Sequence, residues 1–209
     1  MRRRVVLRGI RFKMSNMSLL GVIFLAFCFL CGGFIGYLCV SLSDHSSREA
    51  LNAYLRDYCS LVEVERMPIP IKRCLPIYFG YGLIAFLSSF SLLGIICIPA
   101  AAFAFGFNTM YAVFCFAFAF GRNGVVLALS STIVRLLFTL PCFFLISDKA
   151  WPISGRLALL SFGKRCDPKV YRGSYFTLFL ACVLFMTVGV FCECLVTPHL
   201  FRLAVMKLI

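Results

Sequence analysis

Between Cys74 and Gly121 this chain has no charged side chain. A helix crosses a bilayer with about 20 apolar residues, so the stretch is roughly twice too long for one crossing. Acid is scarce throughout, with 8 Asp and Glu against 21 Lys and Arg. Signatures of catalysis are missing as well. The sequence has no G-x-x-x-x-G-K-[ST] phosphate loop, H-E-x-x-H zinc motif, G-x-S-x-G nucleophile turn or paired-Asp motif. These absences argue against an enzyme, and no cofactor or metal is expected. What is present is apolar: 62% hydrophobic residues against 14% charged, with a mean hydropathy of +0.96. A chain of this size has too little interior to hide so much apolar surface from water. An integral membrane protein is the expectation.

The net charge of +13 would point to nucleic acid in a soluble protein. Here the bases cluster beside the apolar runs, which fits anionic lipid and topology instead, and no nucleic-acid partner is expected. The 12 cysteines do not form an obvious disulfide framework. Cys28, Cys31, Cys39, Cys97, Cys115, Cys142 and Cys182 lie inside apolar runs, where a thiol behaves as a small hydrophobe. Cys59 and Cys74 share a polar segment and could pair if it is extracytoplasmic. His45 and His199 both stand just outside apolar runs and read as interfacial residues.

The pattern predicts an all-α polytopic membrane bundle, a single domain over 1–209, with five transmembrane helices at about 17–42, 75–97, 100–120, 125–147 and 174–196. The first run follows Arg2, Arg3, Arg4, Arg8, Arg11 and Lys13. It is span-length rather than signal-length and lacks a clear cleavage site, so it reads as a retained helix. Within it, Gly32-x-x-x-Gly36 permits close approach of another backbone. Pro99, among small residues, is the expected turn between the second and third helices, with a re-entrant turn as the alternative. Gly121-Arg122-Asn123-Gly124 is the next turn. Ser46 and Glu49 fit a capping box. Leu51, Tyr54, Leu55, Tyr58, Leu61 and Val62 then recur at helical spacing, which predicts an amphipathic helix at about 47–62. The segments 1–16 and 148–173 hold twelve Lys and Arg, against eight in 43–73, 121–124 and the tail. The positive-inside rule therefore places the N-terminus inside and the C-terminus outside, in a cell membrane.

Arg135 is the one charge well inside a predicted span, at a cost of roughly 2.5–3.5 kcal/mol on insertion scales. Ser131, Arg135 and Thr139 are four apart and share a helix face. On the preceding helix, Ala101, Ala104, Asn108, Ala112, Cys115 and Ala119 form a small-residue face. Phe103, Phe107, Phe114 and Phe118 then point to lipid. Counted from the turn, Asn108 and Arg135 lie at nearly the same depth. The expected intramembrane polar cluster is Asn108, Ser131, Arg135 and Thr139, acting as an interhelical clamp or a binding site, with Asn108 satisfying Arg135. Glu193 is a second candidate partner. Pro141 should kink the fourth helix.

A basic N-terminus, one helix, an amphipathic outer segment and four closely set helices together resemble the stage II sporulation protein M family. The local match runs from Gly94 through Ser147, with Gly106-Phe107, Gly121-x-x-Gly124 and Pro141 in the next helix. The resemblance implies a multi-pass scaffold that anchors peptidoglycan-degrading partners at the septal membrane during forespore engulfment. Residues 43–73 would be the contact surface for those cell-wall hydrolases. The rival expectation is the substrate-binding membrane component of an energy-coupled importer, which should carry an outward pocket lined by polar and aromatic residues.

Overall fold

The computed structural model describes residues 2–43, 49–50, 53–54, 71–161 and 173–206. The described residues form helices and turns. Four long helices carry the architecture: α1 (Arg2–Ser41), α2 (Ile71–Ser88), α3 (Gly94–Ser161) and α4 (Gly173–Met206). The helix predicted at 47–62 lies largely outside the described residues, of which Glu49, Ala50, Ala53 and Tyr54 are helical. Cys59 and its proposed bridge to Cys74 lie outside them too. Three helices are long and apolar enough to cross a membrane: Leu20–Ser41, Gly94–Gly121 and Tyr175–Leu195. A shorter apolar helix covers Leu75–Ser88.

α3 is two helical arms broken at Gly121, whose φ of 60° and ψ of −139° leave the helical region. Only a residue without a Cβ adopts that backbone freely. The second arm folds back antiparallel on the first. Phe105 meets Phe143 with ring centroids 5.6 Å apart, and nearer the break a Cβ on Gly124 would overlap the carbonyl of Phe116. The reversal thus needs one residue where the Gly121–Gly124 spacing predicts four. The departure from helical geometry falls at Gly121 and not at Pro141, which stays inside the helix with Pro99 and Pro152.

The expected turn at Pro99 is corrected by the structure. α2 ends at Ser88 and α3 starts at Gly94, so the turn is 89–93 and Pro99 sits inside the first turns of α3. Ser91 makes the difference. Its Oγ accepts from the N–H of Leu93 at 3.2 Å, a local side-chain bond that closes the turn just ahead of the helix. Its carbonyl accepts from the Gly94 N–H at 3.2 Å and from Ser154 Oγ at 2.7 Å. Pro99 lies just past the first four N–H groups of the helix, so its missing N–H costs α3 one bond, to the Ile95 carbonyl. At the other end, α3 runs on to Ser161, through the segment expected to be polar from 148 onward.

α1 runs alongside the first arm of α3 in the same direction, and glycine sets the distance. A Cβ on Gly32 would overlap the Phe103 carbonyl, and one on Gly106 would overlap the Phe29 carbonyl; on Gly36 it would lie 2.7 Å from the Phe107 oxygen. Gly32-x-x-x-Gly36 and Gly106 therefore let two backbones touch. α2 runs antiparallel to α4, with Tyr78 against Gly189 and Phe86 stacked on Phe179 at 3.8 Å. The order of directions is thus up, down, up, down, up, counting α3 as two arms.

The core is aromatic. Phe105 is buried and touches Phe29, Tyr81 and Phe143. Each such ring pair contributes about 0.5–1.5 kcal/mol beyond area burial. The inward stripe of the first arm is Ile98, Ala101, Ala102, Phe105 and Thr109. This corrects the expected small-residue face in part: Ala101 and Cys115 are buried, but Asn108 and Ala112 are exposed and Phe105 points inward. Phe118 is outward as expected, while Phe114 leans on Tyr37.

Candidate functional site

Glu193 is the charged residue among the buried side chains described, at 1% exposure. It sits on the inward stripe of α4 with Cys182, Met186 and Val190, spaced as a helix face requires. Its partner is Arg135 on the second arm of α3. Arg135 Nη2 lies 2.5 Å from Glu193 Oε1, and Nε lies 3.5 Å from Oε2. Two donors of one guanidinium thus address both oxygens of one carboxylate, in the fork geometry that suits Arg. The Arg135 side chain keeps 28% of its surface exposed.

Gly189 makes this contact reachable. It lies one turn before Glu193, on the same face. A Cβ there would fall 2.6 Å from Phe138 Cγ and 3.0 Å from Tyr78 Cε1. Without a side chain at 189, α4 comes close enough for a short Glu to reach Arg135. Tyr78 then spans from α2, its hydroxyl donating to the Gly189 carbonyl at 3.2 Å. That carbonyl keeps its place in the helix, so Tyr78→Phe removes one hydrogen bond and leaves no orphaned acceptor. A loss of about 1 kcal/mol in unfolding free energy in detergent is the expected outcome. A value near zero would show that Tyr78 does not help tie α2 to α4.

The predicted cluster is brought together only in part. Thr139 is buried and one turn from Arg135, but its hydroxyl donates to the Arg135 carbonyl at 2.8 Å. Asn108 does not take the expected role. It is exposed, and its Nδ2 donates to Tyr81 Oη at 2.6 Å. The reason is rotation: with Phe105 and Thr109 inward, Asn108 falls on the rim toward α2. The side chain of Ser131 lies outside the described residues. Sequence reasoning left Gly189, Tyr78 and Tyr81 out, and carried Glu193 only as a second partner. The available signal was Gly189-x-x-x-Glu193, a small residue one turn from an acid in an otherwise apolar helix.

A second polar feature lies at the opposite end of the bundle. Asp148 accepts from Lys149 Nζ at 2.8 Å, and Trp151, three residues on, stacks on Phe24 with centroids 5.3 Å apart. Among the described residues, no three His, Cys, Asp or Glu side chains gather as metal ligands would. The arrangement at Arg135 and Glu193 neutralises charge between two helices and fixes their register. No family model, curated protein or solved structure matches the chain.

Proposed function

We propose that the chain is a multi-pass membrane scaffold, with α1, α2, both arms of α3 and α4 set in the bilayer, the N-terminus inside and the C-terminus outside. The observation that carries this reading is the closure of the interior. Aromatic rings fill the space between the helices, and Glu193 is enclosed and neutralised by Arg135. A lone intramembrane charge is a functional signal by default, whereas a buried carboxylate matched by a partly exposed guanidinium ties two helices in one packing. Such a bundle holds a shape and presents its outer segments.

The alternation of directions supports the topology, because it brings the start of α1, the end of α3 at Ser161 and the start of α4 at Gly173 to the same end. The segment 43–73 then lies at the opposite end, outside, as the surface for partners. The class of partner, peptidoglycan-degrading enzymes at a septal membrane, is supported by the resemblance to the stage II sporulation protein M family alone.

Crosslinking in native membranes followed by pull-down tests the proposal. Recovery of cell-wall hydrolases, lost when residues 47–62 are replaced by a Gly/Ser linker of equal length, is the expected result. Recovery of ATP-binding-cassette subunits instead would make the protein an importer component.

A further inference from the structure

The turn between α2 and α3 has its polarity reversed relative to a turn that faces water. Of its two serines, Ser89 is fully buried, as is Ser154 reaching in from the second arm, while Ser91 is exposed and its hydroxyl is turned back onto the Leu93 N–H. Its apolar groups point outward: Phe90 is 41% exposed, Leu92 47% and Leu93 65%. No charged residue lies within it or on α2 and the first arm beside it, from Leu75 to Phe120.

Most N–H groups of the turn are satisfied from within. The N–H groups of Ser89, Phe90 and Ser91 donate to the carbonyls of Phe86, Leu87 and Ser88 at 3.1, 3.1 and 3.2 Å. Leu93 donates to Ser91 Oγ and Gly94 to the Ser91 carbonyl. The Leu93 carbonyl accepts from both Ile96 and Cys97. Ser89 Oγ returns to the Phe86 carbonyl at 2.6 Å, and Ser154 Oγ crosses from the second arm to Ser91. A Cβ on Gly94 would overlap the Ser88 carbonyl and lie 2.7 Å from Ser154 Oγ, so the fold is tight enough to make these bonds. Water would satisfy such groups without help. A non-helical stretch that pairs most of its N–H groups internally and shows hydrocarbon outward suits a surrounding poorer in water than that of an aqueous loop.

The level of the turn follows from its neighbours. Ser91 bonds to Ser154, one turn from Trp151, and Trp151 packs on Gly21 and Phe24 near the start of the apolar run of α1. Lys149, 53% exposed on its side chain, stands at the same end. Trp and a long Lys able to snorkel mark the boundary between acyl chains and headgroups. Large apolar side chains are exposed there, among them Leu83 and Leu87 on α2, Phe90, Leu92 and Leu93 in the turn and Ile96 on α3.

We infer that the α2–α3 turn stays inside the bilayer, with Phe90, Leu92 and Leu93 inserted among the acyl chains at the inner headgroup boundary, rather than emerging as an aqueous loop. α2 and the first arm of α3 are then a hairpin held by lipid at its tip. The inference rests on the membrane-scaffold reading, and its test separates the two.

In a Trp151→Phe background, single tryptophans are introduced as L92W, or L93W where that protein folds better, and as F34W on the exposed middle of α1. Each is reconstituted in phosphatidylcholine vesicles brominated near the ester or near the middle of the acyl chain, with iodide as the aqueous quencher. L92W is expected to emit in the blue, to be quenched most by bromine near the ester, and to resist iodide several-fold better than free tryptophan. F34W is expected to respond most to bromine at mid-chain. If L92W is open to iodide while F34W is in lipid, the inference is overturned and the membrane reading stands. If both are open to iodide, the membrane reading falls with it. If L92W responds to neither quencher, the turn is covered by protein and the inference is overturned.

Discussion

Arg135→Leu is expected to lower the unfolding free energy by about 3–5 kcal/mol, the cost of leaving a buried carboxylate without its counter-charge. Glu193 has nowhere to go, with 1% of its side chain exposed and the helix close-packed around Gly189. The reverse change should be milder. In Glu193→Leu the stranded group is Arg135, which already has 28% of its side chain exposed and a long stem that moves its head toward the interface. A loss of about 2 kcal/mol is expected there. The double variant R135L/E193L removes both charges and should return to within about 1 kcal/mol of the natural chain, since an apolar pair of similar volume replaces a buried ion pair at little cost. Denaturant titration of all four proteins in one detergent gives the coupling directly. Additive losses would show that the two residues do not act as a pair.

Gly106→Leu should be the other severe change. Its Cβ would overlap the carbonyl of Phe29, a backbone atom that cannot swing aside. Relief requires α1 and α3 to part along the whole contact through Gly32 and Gly36. The expected cost is about 3 kcal/mol, a fall of about 6–12 °C in Tm for a chain of this size. Gly80→Ala is the matched control. Nothing lies within 4 Å of a Cβ at Gly80, and Ala favours a helix interior over Gly by about 0.5–1 kcal/mol, so Tm should rise slightly. Equal losses from both would contradict the account, because helix propensity favours both replacements and the contact between backbones exists only at Gly106.

Helices and glycine contacts were legible in the sequence because their causes are local. Long uncharged runs have few options other than a helix, and Gly32-x-x-x-Gly36 has no side chain to keep a neighbour away. Whether the chain crosses a membrane five times is a matter of proposal; its length and composition mark three helices as able to do so. The turn at 89–93 was obscured by Pro99, a stronger local cue than the serines that build the turn. Ser91 closes the turn on the Leu93 N–H and Ser154 braces it from 63 residues away, and no local pattern announces that brace. The inward face of the first arm was ambiguous for a different reason. In a helix that is apolar all round, small and aromatic residues can each line a core, and here Phe105 fills the space among Phe29, Tyr81 and Phe143. That rotation carried Asn108 to Tyr81. Arg135 was recognisable as a group needing a partner, but counting from an expected helix end near 196 put Glu193 about 10 Å from its level. α4 continues to Met206, so Glu193 lies inside the helix and reaches Arg135 across the gap that Gly189 closes.

The central claim is that the function lies in what the bundle holds, while the buried charges only hold the bundle. Quantitative pull-down from native membranes, comparing the natural chain with the folded R135L/E193L protein, tests it most directly. The account predicts the same partners in the same amounts, cell-wall hydrolases among them. Loss of those partners from a double variant that still folds would contradict it, because the pair would then be part of the working site.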